Sequence, residues 1–227
     1  MALPITQDQP DRPTAPAARI VARDFLLARL GSLFAFLPVG VWTANHLWNQ
    51  LAAFNGAEAW QGAVEGHQST ASAAITFVVV LGPLLWHTVW GIIRMLRSRP
   101  SADVSRFSNL RYLLQRLSAI GLLLFLGAHL WLAWFHPRFV EGHPEAFSEI
   151  AHEMHFHGPT LLVYILGTLG IAYHLANGLW SFAMGWGIAI SKSGLAWVER
   201  ISLAVFAALL IIGWTAVYAL YSAGAGV

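Results

Sequence analysis

Charged residues in this chain gather into short clusters separated by long apolar runs. Asp, Glu, Lys and Arg are absent from residues 30–57, 66–93, 117–137, 154–191 and 201–227. About 20 apolar residues cross the roughly 30 Å hydrocarbon core of a bilayer, and all five runs reach that length. Lipid cannot hydrogen-bond a bare backbone, so runs of this kind are helical. The pattern predicts helix I at 27–53, II at 70–97, III at 111–135, IV at 158–186 and V at 198–222. Pro38 and Pro83 should bend helices I and II, and Pro159 opens helix IV. The expected fold class is an all-α membrane protein with five transmembrane helices.

Composition sharpens this picture. Of 227 residues, 57% are hydrophobic and only 11% charged, well below the roughly 25% charge of a soluble domain. Cysteine is absent, which excludes disulfides, thiol catalysis and iron–sulfur ligation by this chain. A net charge of +2 is too small for nucleic-acid binding by bulk electrostatics. Twelve of the thirteen Lys and Arg precede helix I or fall between II and III or IV and V; Arg138 is the exception. The positive-inside rule then puts the N-terminus in the cytoplasm and the C-terminus outside. Residues 1–24, with Pro4, Pro10, Pro13 and Pro16, read as a flexible cytoplasmic tail, and 25–227 as the membrane domain. The tail lacks the basic and apolar regions of a signal peptide.

Helices I to IV each carry one histidine well inside: His46, His87, His129 and His174. A single buried histidine reads equally well as a helix-packing hydrogen-bond donor. Four of them, one per helix, favour function. At 1.5 Å rise per residue, His46 and His129 lie about 15 and 12 Å below the outer loops, and His174 and His87 about 24 and 25 Å. Two histidines at one depth are placed to ligate one haem iron axially. Two such pairs would stack two b-type haems inside a bundle of helices I–IV.

Small residues flank the inner pair: Gly170-x-x-x-His174-x-x-x-Gly178 and Pro83-x-x-x-His87-x-x-x-Gly91. They either make room for a porphyrin or pack helices. A weak repeat relates Arg29-Leu30-Gly31-Ser32…His46-Leu47-Trp48 to Arg116-Leu117-Ser118…His129-Leu130-Trp131. Arg29, Ser32, Arg94 and Arg116, with Ser118, lie near the cytoplasmic side. They are candidate contacts for haem propionates, or plain positive-inside anchors. The outer segment His152-x-x-His155-x-His157, with His67, His136 and His143 nearby, reads as a solvated loop ahead of a proton antenna or a metal site.

Several of these blocks resemble the five-helix cytochrome b subunit of bacterial succinate dehydrogenases and fumarate reductases. They are Arg29-Leu30-Gly31-Ser32-Leu33, Asn45-His46-Leu47, Pro83-Leu84-Leu85-Trp86-His87, Leu114-Gln115-Arg116 and His174-x-x-Asn177-Gly178-Leu179-Trp180-Ser181-Phe182. The resemblance runs from about residue 25 to 222. It implies a two-haem membrane anchor for a flavoprotein subunit and an iron–sulfur subunit on the cytoplasmic face, with the arginine-rich loop 97–116 helping to dock them. Electrons would pass between that iron–sulfur subunit and membrane quinone (menaquinone or ubiquinone), while dicarboxylate chemistry stays on the partners. It implies His46 and His129 for the outer haem and His87 and His174 for the inner. Glu58 and Glu65 are the quinone-site candidates in the outer loop. Some relatives place a carboxylate two residues before the helix IV histidine, where this chain has Ala172. Two rival readings stand beside this one: a cytochrome b of a hydrogenase or formate dehydrogenase, and a haem-free transporter with histidines relaying protons.

Overall fold

The computed structural model describes residues 15–65, 70–97 and 106–226, all in helices or short connections. His67, the first fourteen residues and 98–105 of the arginine-rich loop lie outside the described residues. Five helical spans are long and apolar enough to cross a membrane: Arg23–Asn55, Ala74–Arg97, Asn109–Glu141, Gly158–Gly185 and Lys192–Gly226. They are numbered I to V. The predicted all-α, five-span architecture is therefore the one observed.

Proline shapes the first three spans locally. Pro lacks an N–H and its ring collides with the carbonyl four residues earlier. Widening the helix by one residue into a π-turn relieves both. Span I comprises α1 (Ala15–Phe34), a π-turn at Ala35–Gly40 containing Pro38, and α2 (Val41–Gln50). Its first helix begins at Ala15, inside the stretch expected as tail. The segment after span I is α3 (Ala57–Glu65). Span II joins α4 (Thr70–Thr76) to α5 (Gly82–Arg97) through a π-turn at Phe77–Leu81, just ahead of Pro83. In span III, α6 (Arg106–Leu130) continues through π-turns at Trp131–Phe135 and Pro137–Glu141, six residues beyond its expected end. Where bends were expected, a π-turn thus contains Pro38 and another stands just ahead of Pro83.

Glycine ends two of these runs. Gly56 (φ 92°) stops span I and Gly142 (φ 84°) stops span III, in backbone that other residues adopt at a cost. Beyond Gly142 comes α7 (Phe147–Phe156), then α8 (Gly158–Gly185), which is span IV. Span V is α9 (Lys192–Ala223), capped by the Ser191 hydroxyl accepting the Gly194 N–H at 3.0 Å. The central packing is α8 against α9, with α6 on another side of α8, α2 against α9, and α1 against α5.

One expectation is corrected. The outer segments are not open loops: α3 and α7 fold over one end of the bundle as a cap. Trp60 is 2% exposed, and Ala151 and Met154 are fully buried. They form one core with Phe147, Ile150, Tyr164, Val217 and Leu220. Residues 147, 150, 151 and 154 share one helix face, and in water that face must be covered. The Trp60 Nε1–H donates to Gln50 Oε1 at 2.8 Å. Gln61 clamps α3 to α7, donating to the Glu145 carbonyl (3.0 Å) and accepting the Phe147 N–H (3.3 Å).

Candidate functional site

The four intramembrane histidines meet in two pairs. The His46 and His129 rings stand 5.9 Å apart between centroids, at 70° to one another. The His87 and His174 rings stand 6.1 Å apart at 75°. Neither α2 with α6 nor α5 with α8 forms an extended backbone contact among the described residues. Each pair thus bridges two helices that do not otherwise pack closely. A metal–imidazole bond is about 2.0–2.1 Å. Two such bonds in line, plus the ring half-widths, give centroids roughly 6 Å apart, which both pairs satisfy.

The ring nitrogens are also sorted. His87 Nδ1–H donates to the Gly31 carbonyl at 3.3 Å. Nδ1 of His129 lies 3.1 Å from the Tyr164 hydroxyl, and Nδ1 of His174 lies 3.2 Å from the Ser118 hydroxyl. In all three the bonded nitrogen is Nδ1, which leaves Nε2 for a metal. A ligating histidine characteristically donates its other N–H in this way. His46 is held differently, stacked on Trp42 at 4.8 Å and 8°. His129 is likewise stacked on Phe125, at 5.6 Å and 14°. Each stacking partner sits four residues before its histidine, one helical turn away.

The donor set and its surroundings fit haem iron. Imidazole pairs suit it, and the space near the inner pair is open: a methyl on Gly91 or Gly178 would meet no heavy atom within 4 Å. Gly170 differs, since it packs on Leu122 at 3.5 Å. The buried Trp90 Nε1, one turn from His87, has no hydrogen-bond partner among the described residues. It lines a shallow cavity of about 270 Å³ with Asp24, Ala28, Ile93, Arg94 and Arg97.

The other expected residues scatter. Arg29 lies 5.2 Å over the Trp186 ring, and Ser32 accepts the Trp186 Nε1–H at 3.1 Å. Arg94 faces the shallow cavity, while Arg116 lies 4.1 Å over Tyr112. Glu58 is exposed on the first turn of α3, and Glu65 ends that helix with its side chain outside the described residues. The histidines of α7 do not converge. His155 Nδ1 bonds the Tyr221 carbonyl (2.9 Å), His157 meets Thr160 and Glu153, and His152 lies tilted against Phe156. Among the described residues, the group with metal-binding spacing is instead Glu141, His143 and Glu149 on the surface.

Sequence reasoning missed Tyr164 and the network around His174. The Ser118 hydroxyl donates to the Gln115 carbonyl at 3.0 Å, and the Asn177 amide donates to Gln115 Oε1 at 2.8 Å. Gln115 and Asn177 were visible only as motif letters; here they lock α6 to α8 beside the histidine.

These contacts extend the weak repeat, with one offset at the inner level and another at the cap side. A shift of 87 residues superposes Arg29 on Arg116, Gly31 on Ser118, Pro83 on Gly170, His87 on His174 and Gly91 on Gly178. Both inner histidines bond a residue 56 positions earlier. Trp42 and His46 match Phe125 and His129 after a shift of 83.

One curated protein matches across nearly the whole chain. The succinate dehydrogenase cytochrome b558 subunit of Bacillus subtilis (strain 168) is 32% identical over 201 residues, covering 87% of this chain and 97% of that protein. The chain belongs to the succinate dehydrogenase cytochrome b subunit family. No protein-family model and no solved structure matches it. Family membership and the five apolar spans together make it a multi-pass membrane protein.

Proposed function

We propose that the chain is the two-haem membrane anchor of a succinate:quinone oxidoreductase. In this reading it passes electrons between a cytoplasmic iron–sulfur subunit and membrane quinone, with the flavoprotein carrying the dicarboxylate reaction. The observation that carries it is the meeting of His46 with His129 and of His87 with His174, at ring separations suited to one iron each. His46 and His129 hold the haem on the cap side, and His87 and His174 the other. Haem b, when bound, supplies one-electron carriage, and filling both axial positions with histidine suits electron transfer rather than oxygen binding.

The residues of the chain do the rest. Gly31, Ser118 and Tyr164 orient three of the four rings, and Trp42 and Phe125 hold the cap-side rings by stacking. Arg29, Ser32, Arg94 and Arg116 are the candidate propionate contacts, Arg94 on the wall of the shallow cavity and Arg29 and Ser32 around Trp186. Glu58 and Glu65 on α3 remain the proton-handling candidates for quinone at the cap end. The cap faces outside and the arginine-rich end faces the cytoplasm, where the partners dock. Residues 25–227 form the functional domain.

A reduced pyridine haemochrome spectrum of the purified complex tests the reading, with two haem b per chain expected. A value well short of two overturns it. His174→Ala should remove the inner haem alone and His46→Ala the cap-side haem alone; loss in any other combination contradicts the pairing.

A further inference from the structure

The two inner histidines are related by the 87-residue offset, as are the residues that meet their rings. Ser118 occupies the position of Gly31, so both inner histidines donate Nδ1–H to an acceptor: one to a hydroxyl, the other to a backbone carbonyl. At the cap-side level the symmetry breaks. Tyr164 meets His129 at 3.1 Å, whereas 87 positions earlier the chain has Phe77, which has no hydroxyl. His46 is stacked on Trp42 instead.

We infer that Tyr164 and Ser118 are positioning residues that each set the reduction potential of one haem, Tyr164 the cap-side haem and Ser118 the inner one. The inference rests on the haem reading above. Binding iron through Nε2 requires the proton to sit on Nδ1, so Tyr164 Oη accepts from His129 and Ser118 Oγ accepts from His174. Ser118 is prepared for this because its own proton goes to the Gln115 carbonyl. Tyr164 is 8% exposed and fixed edge-on to both Phe125 (5.5 Å) and His129 (5.7 Å). Donating Nδ1–H makes an imidazole a stronger base. A stronger base stabilises Fe(III) over Fe(II) in the one-electron couple, so each bond lowers the potential of its own haem. Within each pair the second ligand keeps its own support, which confines the effect to one level.

Potentiometric titration of the intact complex, followed in the haem absorption bands, reads each haem as a separate one-electron wave. Tyr164→Phe, which keeps the ring and its packing, should raise the midpoint of one wave and leave the other. Ser118→Ala should raise the other wave, and Ser118→Thr should restore it by returning a hydroxyl. The expected size is on the order of tenfold in the reduction equilibrium, about 59 mV for one electron. The double variant should raise both waves together. Two bound haems with neither midpoint moved, or the same wave moved by both variants, overturns the inference while leaving the haem reading intact. A preparation grown with adequate haem that binds none overturns the haem reading itself.

Discussion

Tyr164 and Phe77 stand 87 positions apart and differ by one oxygen atom, yet Tyr164 is buried beside His129 and Phe77 is exposed in a π-turn. At this scale small chemical differences decide ligand electronics, and few are visible in a sequence. The Gly31 carbonyl that supports His87 is backbone and leaves no trace in the residue letters. Tyr164 does leave a trace, because a buried tyrosine in an apolar span needs a partner for its hydroxyl. His143, at the surface beyond span III, titrates in a predictable direction. Its hydrogen bond to the Pro144 carbonyl, with Glu149 and Glu141 alongside, holds its pKa above 6.5. Its contact with Glu149 (3.5 Å) therefore stabilises the fold fully below about pH 6.5 and fades as pH rises through the raised value. The melting temperature of His143→Gln should fall below that of the parent at mildly acid pH, and the gap should close in alkali. A gap that widens with pH contradicts this assignment.

Whole helices were legible where lipid writes the rule. Charge-free runs of about 20 residues marked all five spans. The cap helices were not recognised, although Phe147, Ile150, Ala151 and Met154 carry the spacing of an amphipathic helix. Close helix contact depends on small residues. A methyl on Gly167 would overlap the Phe125 ring, the same ring that stacks on His129. Gly167→Ala should cost about 1–3 kcal/mol and, in the proposed two-haem reading, disturb the cap-side haem while sparing the inner one. Low-temperature difference spectra resolve the two; an unchanged spectrum with unchanged thermal stability would mean that α6 and α8 do not meet as described.

Across the whole molecule, spans I–II and III–IV carry a weak sequence repeat, and span V packs on span IV and under the cap. Its orientation can be read directly, because the natural chain has no cysteine. Ser148 on α7 and Ser193 at the start of α9 are both exposed. Ser148→Cys should react with a membrane-impermeant maleimide in intact cells, and Ser193→Cys only after permeabilisation. The reverse pattern would place the cap in the cytoplasm and the partner subunits on the wrong face.

The sequence by itself determined the number of spans, the single histidine in each of four, and the two depths at which those histidines lie. These follow from local rules: what each segment can expose to lipid, and the fixed rise of a helix. Only the tertiary structure decided which rings face one another, which groups meet their Nδ1 atoms, and that two outer segments fold into a cap. Those outcomes depend on how each helix is rotated about its axis. A span that is apolar on every side does not record its rotation, because lipid accepts each face equally. Packing against Gln115, Asn177, Phe125 and Tyr164 supplies that information.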